Sequence, residues 1–506
     1  MLLSLIFPML LLAKPNIVLM TVDDLDEATF DLALANGLMP AVKTAMIDHG
    51  TRFSNSFVVD SLCCPSRATT LSGQYAHNHN VHGNLPPQGS ITAFDNANTL
   101  AMWLQAAGYR TAFVGKYLNG YGQFTSQTYV PPGWTDWQGL IDPSTYTAYD
   151  HMWNDNGTVV DDRANGTVWW NYNLDMTTLR ARRPIKAVDP RPLFLWLSPV
   201  APHFWWQSRD RPVPHNECPG PGEFGGNIYG FSLTAAPRYA GTVSLPLSQG
   251  PSFNESDVSD KPPWIQQNVP SMTTTDVNCL TLRQDRRLES LRSLDDQFWQ
   301  VETWLNEAGL WANTIVIFTS DNGYMLGEHR LSEKVAAYEP SIRVPLVIRR
   351  PADLTSFTEP RLVGNIDLAP TIAKMAGATP ERIVDGRSLV AVLAHASTPY
   401  WRRLLLIESY QAGVDAPGST YPLPPEFFGL RVTASSSGMP APRLYTHFTA
   451  DAFEELYDLT VDAAELSNAA AARQGEIQQL TSVLNAMKTC AGLNCRAIEA
   501  SFSFTP

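Results

Sequence analysis

Four apolar runs recur along the chain, and a polar cluster follows each of them. The runs are Asn16 to Val22, Thr111 to Val114, Leu193 to Leu197 and Thr314 to Phe318. Uninterrupted apolar runs of this length are typical of strands buried on both faces, as in a parallel sheet. We therefore predict an α/β fold with a large mixed, mostly parallel sheet flanked by helices.

Two helices are predicted in the segments that connect these strands. Leu100 to Ala107 has a helical pattern and is followed by Gly108, a residue that often ends helices. Leucines and other apolar residues recur at helical spacing from Leu288 to Leu305, and Gly309 follows as a C-terminal cap. In such folds ligands gather at the carboxyl ends of the strands, where the polar clusters of this chain stand.

Two stretches lack this periodicity and are predicted to form long loops. Tyr117 to Arg183 is rich in Trp, Tyr, Asp and Asn, and we expect it to cover one rim of the sheet. Pro219 to Pro263 contains Pro and Gly throughout.

The character of the chain changes again near residue 399. Leu404 to Glu408 and Leu430 to Thr433 resemble strands, and Ala469 to Met487 resembles a helix. We therefore predict a main domain over 14–398 and a smaller C-terminal α+β region over 399–506.

Composition sets limits on the class of protein. The chain has 506 residues, 44% of them hydrophobic and 17% charged, which is typical of a globular protein with a large core. Its net charge of −13 argues against a nucleic-acid partner. An anionic substrate would have to be attracted by local positive charge.

The N-terminus and the sequons point to secretion. Residues 1–13 form an apolar stretch that is too short to cross a bilayer. Such a stretch at the N-terminus is typical of a signal peptide, although a buried first strand would have a similar sequence. No other stretch predicts a membrane span. Asn156, Asn165 and Asn254 are candidate glycosylation sites, and the expected location is secreted or extracellular.

Six cysteines fit the same compartment. Cys490 and Cys495 are close enough for a small disulfide loop, and Cys218 could pair with Cys279, although sequence alone does not fix the connectivity. Cys63 and Cys64 remain.

Acidic residues follow two of the apolar strands. Asp23 and Asp24 come after the first, and Asp321 and Asn322 come after the last. Carboxylate and amide oxygens suit Ca²⁺ or Mg²⁺, and adjacent buried carboxylates repel each other unless a cation neutralises them. A pair of helix caps or turns is the alternative.

The segment Cys63-Cys64-Pro65-Ser66-Arg67 holds a candidate nucleophile. Pro is favoured in the first turn of a helix, so Cys63 would lie at a positive helix end with free amides. Arg67 adds a fixed cation with forked donors. The alternatives are half of a disulfide, a metal knuckle or plain core residues.

Further polar residues follow the strands. Lys116, after a strand and a Gly, and Lys334, soon after Asp321, are candidate clamps for the oxygens of an anionic group. His203 is a candidate general acid for a leaving oxygen, and His329 is a second candidate. A lone Lys or His is more often structural.

Together these residues resemble the formylglycine-dependent sulfatases of the alkaline-phosphatase-like superfamily. The resemblance covers Asn16 to about Gly377, and more loosely extends to Leu459. The motifs that carry it are, in chain order, Val22-Asp23-Asp24, Cys63 to Arg67, Gly115-Lys116, Pro202-His203, Ser320 to Gly323, Lys334 to Pro345, Asp367 to Thr371 and Glu455 to Leu459.

The resemblance implies a role for each residue. Cys63 would be oxidised to formylglycine by a formylglycine-generating enzyme, and Arg67 would hold the hydrated aldehyde. A Ca²⁺ ion, with Mg²⁺ less favoured, would be bound by Asp23, Asp24, Asp321, Asn322 and Cys63. The sulfate group would be contacted by Lys116, His203 and Lys334.

One position departs from the family. Many sulfatases carry Lys-x-His after the middle strand, and here Leu118 stands in place of that His. His329 could replace the missing base, or one of His77, His79 and His82 could do so. The double Cys and Gly115 to Asn119 most resemble arylsulfatases and N-acetylglucosamine-6-sulfatases.

The leading hypothesis is therefore hydrolysis of the sulfate esters of phenols or sugars. Two alternatives remain at this point. One is a phosphodiesterase or phosphonate monoester hydrolase on the same scaffold, and the other is a catalytically silent protein that binds glycans through the Trp- and Tyr-rich rim.

Overall fold

The computed structural model describes residues 14–162, 171–203, 235–351, 353–398, 401–410, 424–433 and 442–503. The predicted signal peptide, Asn165 and Cys218 lie outside these ranges. Within them, no helix combines the length and the apolar character needed to cross a lipid bilayer.

The strands of the described residues are, in chain order, β1 (Asn16–Val22), β2 (Thr51–Phe53), β3 (Ser56–Phe57), β4 (Arg110–Gly115), β5 (Asp136–Leu140), β6 (Met152–Asp155), β7 (Thr158–Asp161), β8 (Leu193–Ser198), β9 (Thr314–Ser320), β10 (Met325–Leu326), β11 (Ser332–Glu333), β12 (Leu346–Arg349), β13 (Phe357–Glu359), β14 (Val363–Gly364), β15 (Leu404–Ser409), β16 (Phe427–Val432), β17 (Arg443–Phe448) and β18 (Glu454–Asp458).

The α-helices of the same ranges are α1 (Glu27–Ala35), α2 (Pro40–Val42), α3 (Cys63–Ser72), α4 (Ala76–His79), α5 (Leu100–Ala106), α6 (Asn173–Lys186), α7 (Pro263–Asn268), α8 (Thr274–Glu307), α9 (Glu339–Ile342), α10 (Leu368–Ala376), α11 (Val390–Leu393), α12 (Gln474–Met487) and α13 (Leu493–Ser501).

A ten-stranded sheet forms the centre of the molecule, in the order β13-β2-β12-β9-β1-β8-β4-β5-β6-β7. The middle strands β9, β1, β8, β4 and β5 run parallel. Antiparallel pairs β12–β9, β5–β6 and β6–β7 extend it on both sides. The predicted fold class, a large mixed and mostly parallel sheet, is confirmed.

Helices cover both faces of this sheet, and each face has its own core. One core packs α1, α6 and the apolar side of α8 against the sheet, with Leu288 and Leu291 fully buried. The other packs α3, α5 and α10 on the opposite face, with Leu71 and Leu104 buried. Both faces are thus dry, as the uninterrupted apolar strands require.

The C-terminal region forms a separate antiparallel sheet, β15-β16-β17-β18. Helices α12 and α13 follow it in the chain, and Leu480 and Leu484 of α12 lie in the same core as the sheet residues. Phe57 and Val344 of the main body belong to that core too. The C-terminal sheet is therefore packed directly onto the main body.

The segment between residues 117 and 183 differs from the prediction. It is not all loop, because β5, β6 and β7 extend the sheet and α6 packs against α8. The tryptophans among its described residues pack inward: Trp134 is buried, and Trp137 and Trp153 are fully buried. The aromatic residues at these positions therefore fill the core and do not form an exposed rim for sugar binding.

Candidate active site

Two acidic strand ends meet at one edge of the sheet. Strands β1 and β9 pair in parallel register, with Val22 beside Ser320. Asp23 and Asp24 therefore lie next to Asp321, and the Asp24 amide donates to Asp321 Oδ1 at 3.2 Å. All of these carboxylates are buried.

Cys63 faces these carboxylates from the first turn of α3, which begins with this residue. Its Sγ lies 3.9 Å from Asp23 Oδ1 and 2.8 Å from Lys334 Nζ. Burial raises the pKa of the Cys63 thiol to about 11, although Lys116 and Lys334 act in the opposite direction. The unmodified side chain is therefore a thiol at neutral pH.

Arg67 joins three strand ends from beneath the site. Its Nε donates to Asp321 Oδ2 at 2.7 Å, and one terminal nitrogen donates to the Lys116 carbonyl at 2.7 Å and to Ser198 Oγ at 2.6 Å. Its side chain is 1% exposed. A lysine could not make these forked contacts, so Arg67 fixes the relative position of β4, β8 and β9.

Two buried lysines neutralise the first acidic pair. Lys116 Nζ donates to Asp23 Oδ2 at 2.5 Å, and Lys334 Nζ donates to Asp24 Oδ1 at 2.5 Å. Burial alone would raise the pKa of Asp23, but Lys116, His203 and Arg67 outweigh it and the pKa is lowered. The site therefore holds ionised carboxylates beside cations.

His203 completes the cluster from the turn that follows β8. Its Nε2 lies 3.7 Å from Asp24 Oδ2, and the ring is buried. Burial lowers the pKa of His203, against the opposing effect of Asp24 and Asp23.

The donor set fits a divalent cation. Ligand atoms of Asp23, Asp24, Cys63 and His203 all lie within 4.8 Å of one another. Asp24 Oδ2 and Asn322 Oδ1 are buried and have no hydrogen-bond partner within the described part of the chain. Buried oxygens without a partner are costly unless an ion or water binds them. Hard oxygen donors of this kind suit Ca²⁺ or Mg²⁺.

Comparison with known families assigns the chain. Residues 15–378 match the family described as Sulfatase, which is more than half of the chain. The chain belongs to the sulfatase family. Residues 327–430 of this sulfatase also match the family described as N-sulphoglucosamine sulphohydrolase, C-terminal. The enzyme is therefore a sulfuric ester hydrolase, and its family argues against the silent glycan-binding alternative.

Curated relatives of the sulfatase include both enzyme types expected from its motifs. Human N-acetylglucosamine-6-sulfatase is 29% identical over 97% of this chain and 88% of its own length. An arylsulfatase from Volvox carteri is 32% identical over 74% of this chain and 58% of its own length. An extracellular sulfatase homologue from Caenorhabditis elegans is 31% identical, and the match spans about half (52%) of that longer protein.

Solved structures share the fold. One protein, in complex with its substrate D-glucosamine-2-N,6-O-disulfate, has a TM-score of 0.67 and 22% identity over 93% of this chain and 97% of its own. A phosphonate monoester hydrolase from Silicibacter pomeroyi has a TM-score of 0.64 and 20% identity over 93% of this chain and 94% of its own. At these identities the likeness concerns the fold alone.

His329 lies in a different network from Cys63. Its Nδ1 contacts Glu255 Oε2 at 2.7 Å, its Nε2 lies 3.9 Å from Glu465, and its ring stacks on Tyr338. Burial lowers the pKa of His329, but Glu255 and Glu465 outweigh it and raise the pKa to about 9. A protonated imidazole cannot accept a proton, so this arrangement argues against the predicted role of His329 as the base.

The other three candidate histidines also have partners away from Cys63. His77 contacts Glu408 at 2.7 Å and the Cys490 carbonyl at 2.9 Å. His79 contacts Thr69, and burial lowers its pKa to about 3. His82 stacks on Tyr410 with ring centres 3.9 Å apart. Leu118 packs in the hydrophobic core, so the usual base position is filled by an apolar side chain.

Several residues of the site were not predicted. Ser198 accepts from Arg67, and Asn365 holds Ser66, which in turn donates to the Asp321 carbonyl. Tyr146 lies against both Lys116 and His203. Ser198 directly follows the apolar run Leu193 to Leu197, which was a usable signal, whereas Asn365 and Tyr146 belong to short turns without a pattern.

The candidate covalent modifications differ in their setting. Cys490 and Cys495 form a disulfide, as predicted, and Cys279 is disulfide-bonded while its predicted partner Cys218 lies outside the described residues. Asn156 is exposed in the turn between β6 and β7. The Asn254 amide exchanges two hydrogen bonds with the Met272 backbone, so a glycan there would break at least one of them.

Proposed function

We propose that this sulfatase hydrolyses sulfate monoesters of sugars or phenols, using formylglycine derived from Cys63 and a Ca²⁺ ion. The observation that carries the proposal is the position of Cys63. It stands at the first residue of a buried helix, with Lys334 at 2.8 Å and Asp23 at 3.9 Å. A reacting group there would have cations on one side and hard oxygen ligands on the other.

Formylglycine and the cation would each supply specific chemistry. Formylglycine would provide an aldehyde whose hydrate has two hydroxyl groups, one to attack sulfur and one to allow release of inorganic sulfate. The bound cation would lower the pKa of an attacking hydroxyl and orient it. Asp23, Asp24, Asp321 and Asn322 would hold this cation.

The residues around Cys63 would supply the rest of the reaction. The ammonium groups of Lys116 and Lys334 would neutralise the sulfate oxygens as charge develops on them. Arg67, held by Asp321 and Ser198, would keep the helix end and the hydrated aldehyde in place. His203, in the imidazolium form that Asp24 and Asp23 favour electrostatically, would donate a proton to the leaving oxygen.

The relatives guide the choice of substrates to test. The human relative, whose name specifies an N-acetylglucosamine 6-sulfate, aligns over nearly all of this chain. The algal relative is named an arylsulfatase. We therefore propose sulfated sugars and aryl sulfates as the substrate classes, with secretion and a formylglycine-generating enzyme as the setting in which the protein matures.

The decisive experiment is mass spectrometry of the Cys63 peptide together with activity on sulfate esters. We expect the mass of formylglycine at Cys63, turnover of p-nitrophenyl sulfate or a 6-sulfated glucosamine, and loss of turnover in Cys63→Ala. Cys64→Ala is the matched control, since Cys64 is equally buried, lies next to Cys63 and should be dispensable. A fully active protein with an unmodified thiol at Cys63 would refute the proposal.

The same assay tests the alternative reaction. If p-nitrophenyl phosphate or a phosphonate ester is turned over faster than the matching sulfate ester, the enzyme would be better described as a phosphoester or phosphonate hydrolase. The solved phosphonate monoester hydrolase shows that the fold alone does not decide between the two.

A further inference from the structure

Tyr146 occupies the space between two residues to which the proposed function gives roles on the substrate. Its ring centre lies 4.9 Å from Lys116 Nζ, within the range of a cation–π contact. The same ring lies 5.0 Å from the His203 ring, inclined by 38°. Tyr146 is 7% exposed, so the ring is a wall of the site and not a surface residue.

The Tyr146 ring is itself fixed from the chain segment that follows Lys116. Its hydroxyl accepts a hydrogen bond of 2.8 Å from Asn119 Nδ2. Asn119 is in turn held through its backbone, because its carbonyl accepts from the Ile91 amide at 2.9 Å. A single ring is thus anchored at its polar end and contacts Lys116 and His203 with its apolar body.

Lys116 needs such a support. Its ammonium is buried and donates a hydrogen bond to one oxygen of Asp23. One hydrogen bond fixes a distance but not the direction of a flexible four-carbon side chain. The ring below Nζ restricts the remaining freedom, and the same ring limits the tilt of the His203 imidazole.

We propose that Tyr146 is a positioning residue of the sulfate ester hydrolysis, and that it acts by holding Lys116 and His203 together. The inference rests on the proposed function, since it assumes that both residues face the substrate. The ring is the required feature, and the hydroxyl serves to orient it through Asn119.

The test compares Tyr146→Leu and Tyr146→Phe in the full-length protein matured with formylglycine at Cys63. Displacing a catalytic group by about 1 Å can cost roughly a hundredfold in rate. We expect Tyr146→Leu to lose about 10- to 100-fold in kcat, with a smaller change in KM. Tyr146→Phe, which keeps the ring, should retain kcat within about threefold.

A second readout separates positioning from a general structural defect. If His203 protonates the leaving oxygen, its misplacement matters most for poor leaving groups. The loss in Tyr146→Leu should therefore be larger on a sugar or alkyl sulfate than on p-nitrophenyl sulfate. A merely destabilised enzyme would lose the same factor on both substrates.

Tyr149→Leu is the matched control. Tyr149 belongs to the same segment and packs against Tyr172, with ring centres 5.9 Å apart. It should leave kcat and the leaving-group dependence unchanged. Thermal midpoints of all variants are measured to show that they remain folded.

Two outcomes overturn the inference while leaving the proposed function intact. One is a folded Tyr146→Leu enzyme with wild-type kcat, and the other is an equal loss on good and poor leaving groups. Failure of the wild-type enzyme to hydrolyse any sulfate ester would instead refute the proposed function.

Discussion

The buried His329 network predicts a specific dependence of stability on pH. His329 lies between Glu255 and Glu465, and Glu465 belongs to the segment that follows β18. Lys261 lies 3.3 Å from Glu255, Glu328 is a further acidic neighbour, and Tyr338 stacks on the imidazole. Among described residues, acidic groups thus outnumber the cations that face this ring.

The magnitude follows from the pKa of His329. The two carboxylates raise it from 6.5 to about 9 against the cost of burial. A folded-state pKa above the unfolded one stabilises the protein fully below about pH 6.5, and this contribution is lost as pH rises through about 9. A shift of about 2.5 pKa units corresponds to roughly 3 kcal/mol.

The perturbation is His329→Gln, which keeps a hydrogen-bonding side chain but cannot carry a charge. We expect the free energy of unfolding of the variant to fall below that of wild type by about 3 kcal/mol more at pH 6 than at pH 10. Urea unfolding followed by tryptophan fluorescence at a series of pH values measures this gap.

The control is His447→Gln, which removes a partly exposed histidine lying 3.7 Å from Glu454. Exposed pairs of this kind contribute about 0–1 kcal/mol, so its gap to wild type should change little with pH. A His329→Gln gap that stays constant from pH 6 to pH 10 would show that the imidazole is not held charged by the two glutamates.

Two further predictions concern metal and packing. Removing calcium with EGTA should lower both the activity and the thermal midpoint of the wild type, because Asp24 Oδ2 and Asn322 Oδ1 would lose their partner. Adding Ca²⁺ should restore both. A thermal midpoint that responds to neither reagent would contradict the metal site. Arg402→Met should lower the free energy of unfolding by about 3–5 kcal/mol, because it leaves Asp367 buried without its cation and removes one of the two arginines that pair with Glu499. A loss below about 1 kcal/mol in urea unfolding would argue against this account.

The central fold was predictable because its signal is local. Each of the strands β1, β4, β8 and β9 is an apolar run bounded by polar residues. A short run of this kind predicts a strand buried on both faces. The extension by β5 was missed because Asp136–Leu140 contains Asp, Gln and Gly beside its apolar residues. Its burial depends on α6 and the neighbouring strand, which sequence periodicity does not show.

The candidate site was predictable only where a residue follows a strand. Asp23, Lys116, His203 and Asp321 stand at carboxyl ends of parallel strands, so the topology brings them together. Tyr146 reaches the same place from a short turn, and Asn365 from another. His329 shows the opposite case. It lies close to Asp321 in the sequence, but in the fold it belongs to a separate network that includes Glu465, far away in the sequence.

Local charge explains how an acidic protein can hold an anionic substrate. The site contains three carboxylates and three fixed cations, and each carboxylate is paired with one cation. The pairs are Arg67 with Asp321, Lys116 with Asp23 and Lys334 with Asp24. The charges of these six groups therefore cancel, and the net charge of −13 lies elsewhere. A divalent cation would leave an excess of two positive charges beside Cys63. Because buried charges are weakly screened, this local excess, and not the charge of the whole molecule, would determine the affinity for a sulfate ester.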